Sequence, residues 1–180
     1  MIMDAKLQLI RMQFNLLHDC IRSIIYFRHI ADQNPSETAW IYIKDVLSDH
    51  LVQSWCKVFG RYGENTHWKH ITEAEEVKIL IEPFSKEKIL KAVRMSENEW
   101  HSYHQEMLVA RDEFFAHFDI SSMTLHYPNL EPALQSAIIY REWLIELLNL
   151  AITKGLNIIN KAIPTETMLQ HFKEEAELYL

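Results

Sequence analysis

The chain has little glycine, proline and cysteine. Its 180 residues include three Gly, five Pro and two Cys. Such low Gly and Pro contents exclude collagen-like and low-complexity chains, and with 48% apolar residues they predict an all-helical protein. The two cysteines, Cys20 and Cys56, lack CxxC spacing, which argues against a disulfide scaffold and favours reduced thiols in a cytosol.

The chain also lacks an excess of positive charge and long apolar runs. Its net charge of -7 argues against a broad nucleic-acid-binding surface, because non-specific affinity for nucleic acid rests on many Lys and Arg residues. The composition is still compatible with a local basic pocket. Charged residues interrupt every apolar stretch before about 20 residues, and the N-terminus has no signal-peptide layout. We therefore expect a cytoplasmic protein without membrane contact, folded as a single domain over residues 1–180.

Apolar residues recur at three- and four-residue spacing, which predicts amphipathic helices. The long ones are predicted from Asp4 to about Asp32, from the Ser36 N-cap to about Phe59, from Glu97 to about Phe118, and from Glu131 to about Lys154. Shorter ones are predicted from the Thr72–Glu75 capping-box pattern to before Pro83, from Lys86 to Met95, and from Thr165 to Leu180. The short linkage between the first two predicts that they pack antiparallel, and Gly60 to Trp68 is predicted to be an irregular loop.

One predicted core helix carries charged and titratable side chains. From Arg111 to His117 the sequence is Arg-Asp-Glu-Phe-Phe-Ala-His, and on an ideal helix this six-residue step separates Arg111 and His117 by roughly 120°. An apolar stripe from Trp100 to Phe114 leads to His117. Arg111 lies at the other edge of this surface, where a cation requires water, a carboxylate or a phosphate as partner.

This motif, together with Trp55–Gly60 (Trp-Cys-Lys-Val-Phe-Gly) and Thr66-His67-Trp68-Lys69, resembles the abortive-infection branch of the HEPN superfamily, over roughly residues 36–160. The signature of that superfamily is Arg-x(4 to 6)-His with a polar residue after the Arg, here Asp112. The resemblance implies an HEPN-like bundle of long antiparallel helices that forms a homodimer. It further implies a cleft in which two Arg/His pairs cut RNA without a metal, in a toxin or anti-phage effector that can have a cognate antitoxin protein. Asp119 stands where one subgroup has a modifiable Tyr, which argues against control by Tyr modification.

The implied chemistry suits the residue types. A neutral His117 can take the proton from an RNA 2′-hydroxyl while Arg111 stabilises the developing phosphorane charge, which would leave a 2′,3′-cyclic phosphate. Asp112 would orient Arg111 or organise the dimer cleft. Because Arg111 and His117 diverge around the helix, we expect a site that combines two chains, with no cofactor and no metal.

Structural roles for the same residues remain open. His117 can be a core-edge imidazole bonded to backbone, and Arg111 a partner for Asp112 or another carboxylate, in a non-catalytic HEPN bundle that binds a protein or RNA. Trp68 can stack on a base, although we favour an anchor that ties its loop to the core. The i,i+3 pairs His67/His70 and His101/His104 suit a metal, but no third ligand is evident from the sequence.

Overall fold

The computed structural model describes residues 2–33, 38–114, 128–155 and 162–180. In these ranges the chain is all-helical and contains no strand, which confirms the predicted all-α class. The helices are α1 (Ile2–Gln33), α2 (Thr38–Phe59), α3 (Lys69–Thr72), α4 (Glu75–Lys78), α5 (Lys86–Val93), α6 (Glu97–Val109), α7 (Leu130–Thr153) and α8 (Thr165–Tyr179), with a π-helical turn at Ala110–Phe114. Within the same ranges, no helix is long and apolar enough to cross a membrane.

Helices α1 and α2 run antiparallel, as their short connection predicts. Asp19 of α1 lies 3.7 Å from His50 of α2, whereas Gln13 and Lys6, nearer the start of α1, reach residues beyond the end of α2. The connecting residues 34–37, including the predicted Ser36 N-cap, lie outside the described residues.

The buried face of α2 is shorter than the sequence predicts. Leu51, Trp55 and Val58 are buried, but Val46 is 47% exposed and His50 is also exposed, so the predicted face fails in the first half of the helix. Apolar spacing alone cannot show where the neighbouring helix contacts end. Trp55 lies at the centre of the core, where its indole N–H donates to Ser136 Oγ at 3.0 Å and its ring meets Tyr103 of α6.

Of two capping-box patterns, one predicts the start of a helix correctly and the other does not. Ser96 begins α6 with the predicted capping box, because Glu99 N–H donates to Ser96 Oγ and the Glu99 carboxylate accepts from Ser96 N–H. The predicted Thr72 cap is wrong. Thr72 instead closes α3 with its hydroxyl directed at the Lys69 carbonyl, and α4 begins at Glu75 after Ala74.

The remaining helices match their predictions to within a few residues. Helix α5 ends at Val93 rather than Met95, because Arg94 adopts a left-handed conformation with φ 57°. Gly155 follows α7 with φ 88° and donates to the Ile152 carbonyl, which is the predicted glycine end. The apolar residues that predict α8 are Met168, Leu169, Phe172 and Leu178; Met168 and Phe172 are buried, but Leu178 is 71% exposed.

Candidate functional site: an arginine–carboxylate cluster

The helix that carries the motif departs from the prediction. The α-helix from Glu97 ends at Val109 and Ala110–Phe114 form a π-helical turn, while the predicted end near Phe118 lies outside the described residues. A π turn contains more residues per turn than an α-helix, so the 120° separation worked out for an ideal helix does not hold through it. Such turns occur often at functional sites. His117 lies outside the described residues.

Arg111 is held by two carboxylates. Its Nε donates to Asp112 Oδ1 at 2.8 Å, and its Nη1 donates to Glu64 Oε1 at 3.3 Å. The Arg111 side chain is 18% exposed, whereas Glu64 and Asp112 are 38% and 43% exposed. The guanidinium therefore has a fixed orientation at the protein surface, and its contact with Asp112 agrees with both the orienting role and the structural role considered for this pair.

A second arginine completes the cluster. Arg61 Nη2 lies 2.7 Å from Asp112 Oδ2, so this carboxylate bridges two guanidinium groups. The hydrogen bond from Arg111, helped by the charges of Arg111 and Arg61, lowers the pKa of Asp112 below its ordinary value. The four side chains, Arg61, Glu64, Arg111 and Asp112, form what we call the Arg111 cluster, whose formal charges cancel.

The loop that contributes Arg61 and Glu64 is firmly attached to the end of α2. Gly60 N–H donates to the Cys56 carbonyl at 2.9 Å, and Trp68 N–H donates to the Val58 carbonyl at 3.0 Å. Residues 60–68 contain no long helix, as predicted, but these bonds fold them back against α2. The path of the loop places Glu64 opposite the π turn.

A buried amide fixes the far end of this loop from α1. Gln13 is fully buried, and its Nε2 donates to the carbonyls of Thr66 and His67 at 3.1 and 3.2 Å. Its Oε1 accepts from the Tyr140 hydroxyl at 2.7 Å. An unpaired buried amide is costly, so this arrangement ties the loop to the core as well as to α2. A lone Gln on the buried side of α1 was the sequence signal for it.

The three histidines around the loop are bonded to the backbone. His67 is buried and its Nδ1 accepts from Lys69 N–H at 3.2 Å. Burial, followed by the charges of His70, Lys69 and His104, lowers the pKa of His67 to about 4, so its imidazole is neutral at pH 7. His104 Nε2 lies 2.9 Å from the Phe59 carbonyl, and His70 Nε2 lies 2.9 Å from the Glu64 carbonyl, which makes both of these nitrogens donors.

These contacts decide among the roles considered for the Thr66–Lys69 segment. Trp68 is buried, its ring lies 5.4 Å from that of Phe84, and its carbonyl accepts from Tyr140. Trp68 is therefore the core anchor that we favoured, and its buried ring offers no face for a base. No group of three or more His, Cys, Asp or Glu side chains that could hold a metal ion occurs in the described part of the chain.

The cysteine beside the cluster is buried. Burial raises the pKa of Cys56 to about 12, even though the positive charge of Arg111 opposes that rise. The Cys56 thiol approaches the Met107 carbonyl at 3.5 Å. Both cysteines are free thiols, as the sequence predicts, and Cys56 serves packing between α2 and α6.

The fold thus brings Arg111 and Asp112 together with two residues that the sequence argument did not select. Arg61 and Glu64 are about fifty positions away along the chain, at separations of 51 and 47 residues from their partners. Their only sequence signal is a position within a glycine-bearing loop near the motif segments. Comparisons of the chain with models of known protein families, with curated proteins and with solved structures find no match.

Proposed function

We propose that this chain is a metal-independent endoribonuclease of the HEPN type that acts as a homodimer, as a toxin or anti-phage effector with a cognate antitoxin protein as a partner. The observation that supports the proposal is the oriented, partly exposed guanidinium of Arg111. Electrostatic catalysis works best when the donor is aligned before charge develops, because no reorganisation is then needed during the reaction. The two hydrogen bonds that Arg111 donates to Asp112 and Glu64 supply such alignment.

A phosphate can replace a carboxylate at this cluster at low cost. Glu64 and Asp112 are each more than a third exposed, and exposed ion pairs contribute about 0–1 kcal/mol. A backbone phosphate that displaces Glu64 from Nη1 would gain a bidentate contact that an arginine fork favours. Arg61 would provide a second cation on the other side of Asp112. With Glu64 displaced, the rest of the cluster would carry a net positive charge and would be the local basic site that an acidic chain needs to hold RNA.

The proton transfers belong to His117 in this proposal. His117 would remove the 2′-hydroxyl proton as that oxygen attacks phosphorus, and Arg111 would stabilise the charge on the phosphoryl oxygens. The bond to the 5′-oxygen then breaks, and the His117 imidazolium formed in the first transfer would return the proton to that oxygen. The products would be a 2′,3′-cyclic phosphate and a 5′-hydroxyl. His67 is unsuited to this task, because its Nδ1 already accepts a hydrogen bond.

The test is cleavage of RNA in EDTA by Arg111→Ala and His117→Ala, each compared with a matched change elsewhere. Arg28→Ala removes a surface arginine that pairs with Glu131, and His101→Ala removes an exposed histidine of α6. We expect loss of at least about a hundredfold in rate for the motif variants, with melting temperatures near that of wild type and little loss for the controls. Cleavage that survives both motif changes would rule the nuclease out.

Mixing the two inactive variants tests whether the site spans two chains. If Arg111 of one subunit works with His117 of the other, each mixed dimer contains one intact pair, and random mixing restores about a quarter of wild-type activity. If both residues act within one chain, no mixed dimer contains an intact pair. Activity would then remain at the level of the separate variants, which would contradict the composite site.

A second function is favoured by the same cluster. The charge of Arg111 is already balanced within the chain by Glu64 and Asp112, which suits a structural role in a non-catalytic HEPN bundle that binds a protein partner or RNA. In that case Arg111→Ala should lower the melting temperature, and any RNA affinity should persist without cleavage. Loss of activity only in parallel with loss of folding would support this function over the first.

A further inference from the structure

A cavity of about 360 Å³ lies between α1, α7 and the start of α8, away from the Arg111 cluster. Its walls are largely apolar and include Leu7, Ile10, Phe14, Leu148 and Met168. Ligand pockets in proteins range from about 300 to 1,000 Å³ and combine apolar walls with a few placed polar groups. The volume and lining therefore suit a small organic molecule.

The most deeply buried polar residue in the cavity lining is an arginine, and the partly buried His18 also lines the cavity. Arg141 of α7 is 4% exposed, and its guanidinium lies 5.7 Å from the ring of Phe14. Nη1 donates to Thr165 Oγ1 and Nη2 to the Ile163 carbonyl, both at 2.7 Å. Its Nε is buried without a hydrogen-bond partner among the described residues. The guanidinium that lines the cavity thus lacks one of its hydrogen-bond partners in the described part of the chain.

The charge of Arg141 is also unbalanced. None of the described carboxylates forms a salt bridge with it, and the carboxylate whose charge favours its protonated form is Glu142, exposed at the next position of α7. Burying a charge without a counterion is expensive, and arginine does not escape the cost by losing its proton. A buried cation of this kind calls for an anion.

The start of α8 adds positive potential at the same place. This 15-residue helix begins at Thr165, the residue that accepts from Arg141, and its N-cap residue Pro164 provides no side-chain cap. Helix N-termini favour anions and disfavour cations. A buried guanidinium next to the N-terminus of a helix is electrostatically unfavourable unless an anion lies close to both groups. Met168, in the first turn of α8, connects this end of the cavity to its apolar walls.

We propose that this cavity binds a small amphipathic carboxylic acid, with the carboxylate accepting from the Arg141 guanidinium and the hydrocarbon part lying against α1 and α7. A single carboxylate matches the single buried cation, and the apolar walls match a hydrocarbon body. Arg11 and Asn15, both exposed on α1, line the outer part of the cavity. The site shares no residue with the Arg111 cluster and does not depend on the proposed nuclease activity.

The test is calorimetric titration of the full chain with three probes: octanoate, 1-octanol and acetate. Octanoate should bind with one site per chain. Octanol, which keeps the tail and lacks the charge, should bind about tenfold to a hundredfold more weakly, the range expected for loss of a charge-assisted hydrogen bond. Acetate, which lacks the tail, should bind more weakly than octanoate by at least a similar factor.

Three variants assign the binding to the cavity. Arg141→Met removes the guanidinium but keeps an unbranched apolar stem, and should reduce octanoate binding to the level of octanol, whereas Arg28→Met, a surface control, should leave it unchanged. Ala162→Phe fills the cavity while leaving Arg141 in place, and should abolish binding of both eight-carbon probes. This variant and the wild-type probe series decide the matter even if Arg141→Met fails to fold.

Several results would overturn the proposal. Absence of octanoate binding to the folded wild-type chain would do so, as would equal affinities for octanoate and octanol. Octanoate binding that is unchanged by Ala162→Phe in a folded variant would place the ligand elsewhere. In each case Arg141 would be only a brace between α7 and the start of α8.

Discussion

Substitution of Gly60 by alanine should destabilise the protein more than the small size of the added methyl group suggests. A Cβ added at Gly60 would overlap the Cys56 carbonyl oxygen and lie 3.1 and 3.2 Å from the Cys56 C and Cα atoms. All three are backbone atoms in the last turn of α2, so no flexible side chain can move aside. The chain must instead shift at the point where it leaves α2 for the loop of the Arg111 cluster.

The size of the effect follows from the contacts that this shift disturbs. Forcing extra carbon into a packed site costs about 1–3 kcal/mol. Moving Gly60 also weakens its hydrogen bond to the Cys56 carbonyl and the bonds that His104 Nε2 donates to the carbonyls of Phe59 and Gly60. Each hydrogen bond that is lost lowers the free energy of unfolding by about 0.5–1.5 kcal/mol. We expect the free energy of unfolding to fall by about 2–4 kcal/mol. For a chain of this length, that lowers the melting temperature by roughly 4–16 °C.

Gly63 offers a matched control in the same loop. No heavy atom lies within 4 Å of a Cβ added there, and Gly63 does not have a positive φ. Gly63→Ala should therefore stay within about 0.5 kcal/mol of wild type or gain slightly from reduced freedom in the unfolded chain. Urea unfolding followed by circular dichroism measures both variants. Equal stabilities for the two would refute the claim that backbone crowding makes glycine necessary at position 60.

Two further changes test individual contacts. The pKa of His67 is about 4 in the folded chain and about 6.5 when unfolded, so its contribution to stability is complete above pH 6.5 and is lost as the pH falls towards 4, by roughly 2–4 kcal/mol. His67→Asn should flatten this part of the stability–pH curve measured by urea unfolding, while the exposed control His101→Asn should not; identical slopes would contradict the assignment. Ser96→Ala should lower the free energy of unfolding by about 1 kcal/mol, and with it the melting temperature, because the capping box with Glu99 is lost. Ser102→Ala, at an exposed position of the same helix, should leave both unchanged. Equal effects would show that the cap contributes little.

The sequence predicted the long helices because each carries its own local information. Apolar spacing defines α1 and α7, and the Ser96 box begins α6 through atoms only three residues apart. The π turn at Ala110–Phe114 was not predictable in this way, because the apolar spacing continues through it. Neither was the exposure of Val46, which depends on where the contacts of α2 with other helices end.

In the candidate site, too, the contact between sequence neighbours was predictable and the long-range contacts were not. The contact of Arg111 with Asp112 joins neighbours in sequence, so it could be anticipated from the motif. The contacts with Glu64 and Arg61 require the path of the loop after α2, and that path depends on Gly60 and on the buried amide of Gln13. Such long-range hydrogen bonds leave no periodic pattern in the sequence.

The geometry of the Arg111 cluster must come from the core beneath it, because its exposed ion pairs are too weak to impose a loop structure alone. Gln13 and Trp68 fix the loop from below through buried hydrogen bonds and packing. Carboxylates on such a support can be exchanged for a phosphate without loss of the loop, so an anion at Arg111 would substitute for one already present. Arg141 has no carboxylate to exchange among the described residues, and an anion there would be added to the fold. Binding at Arg141 would therefore add a new ion pair, whereas binding at Arg111 would exchange one ion pair for another.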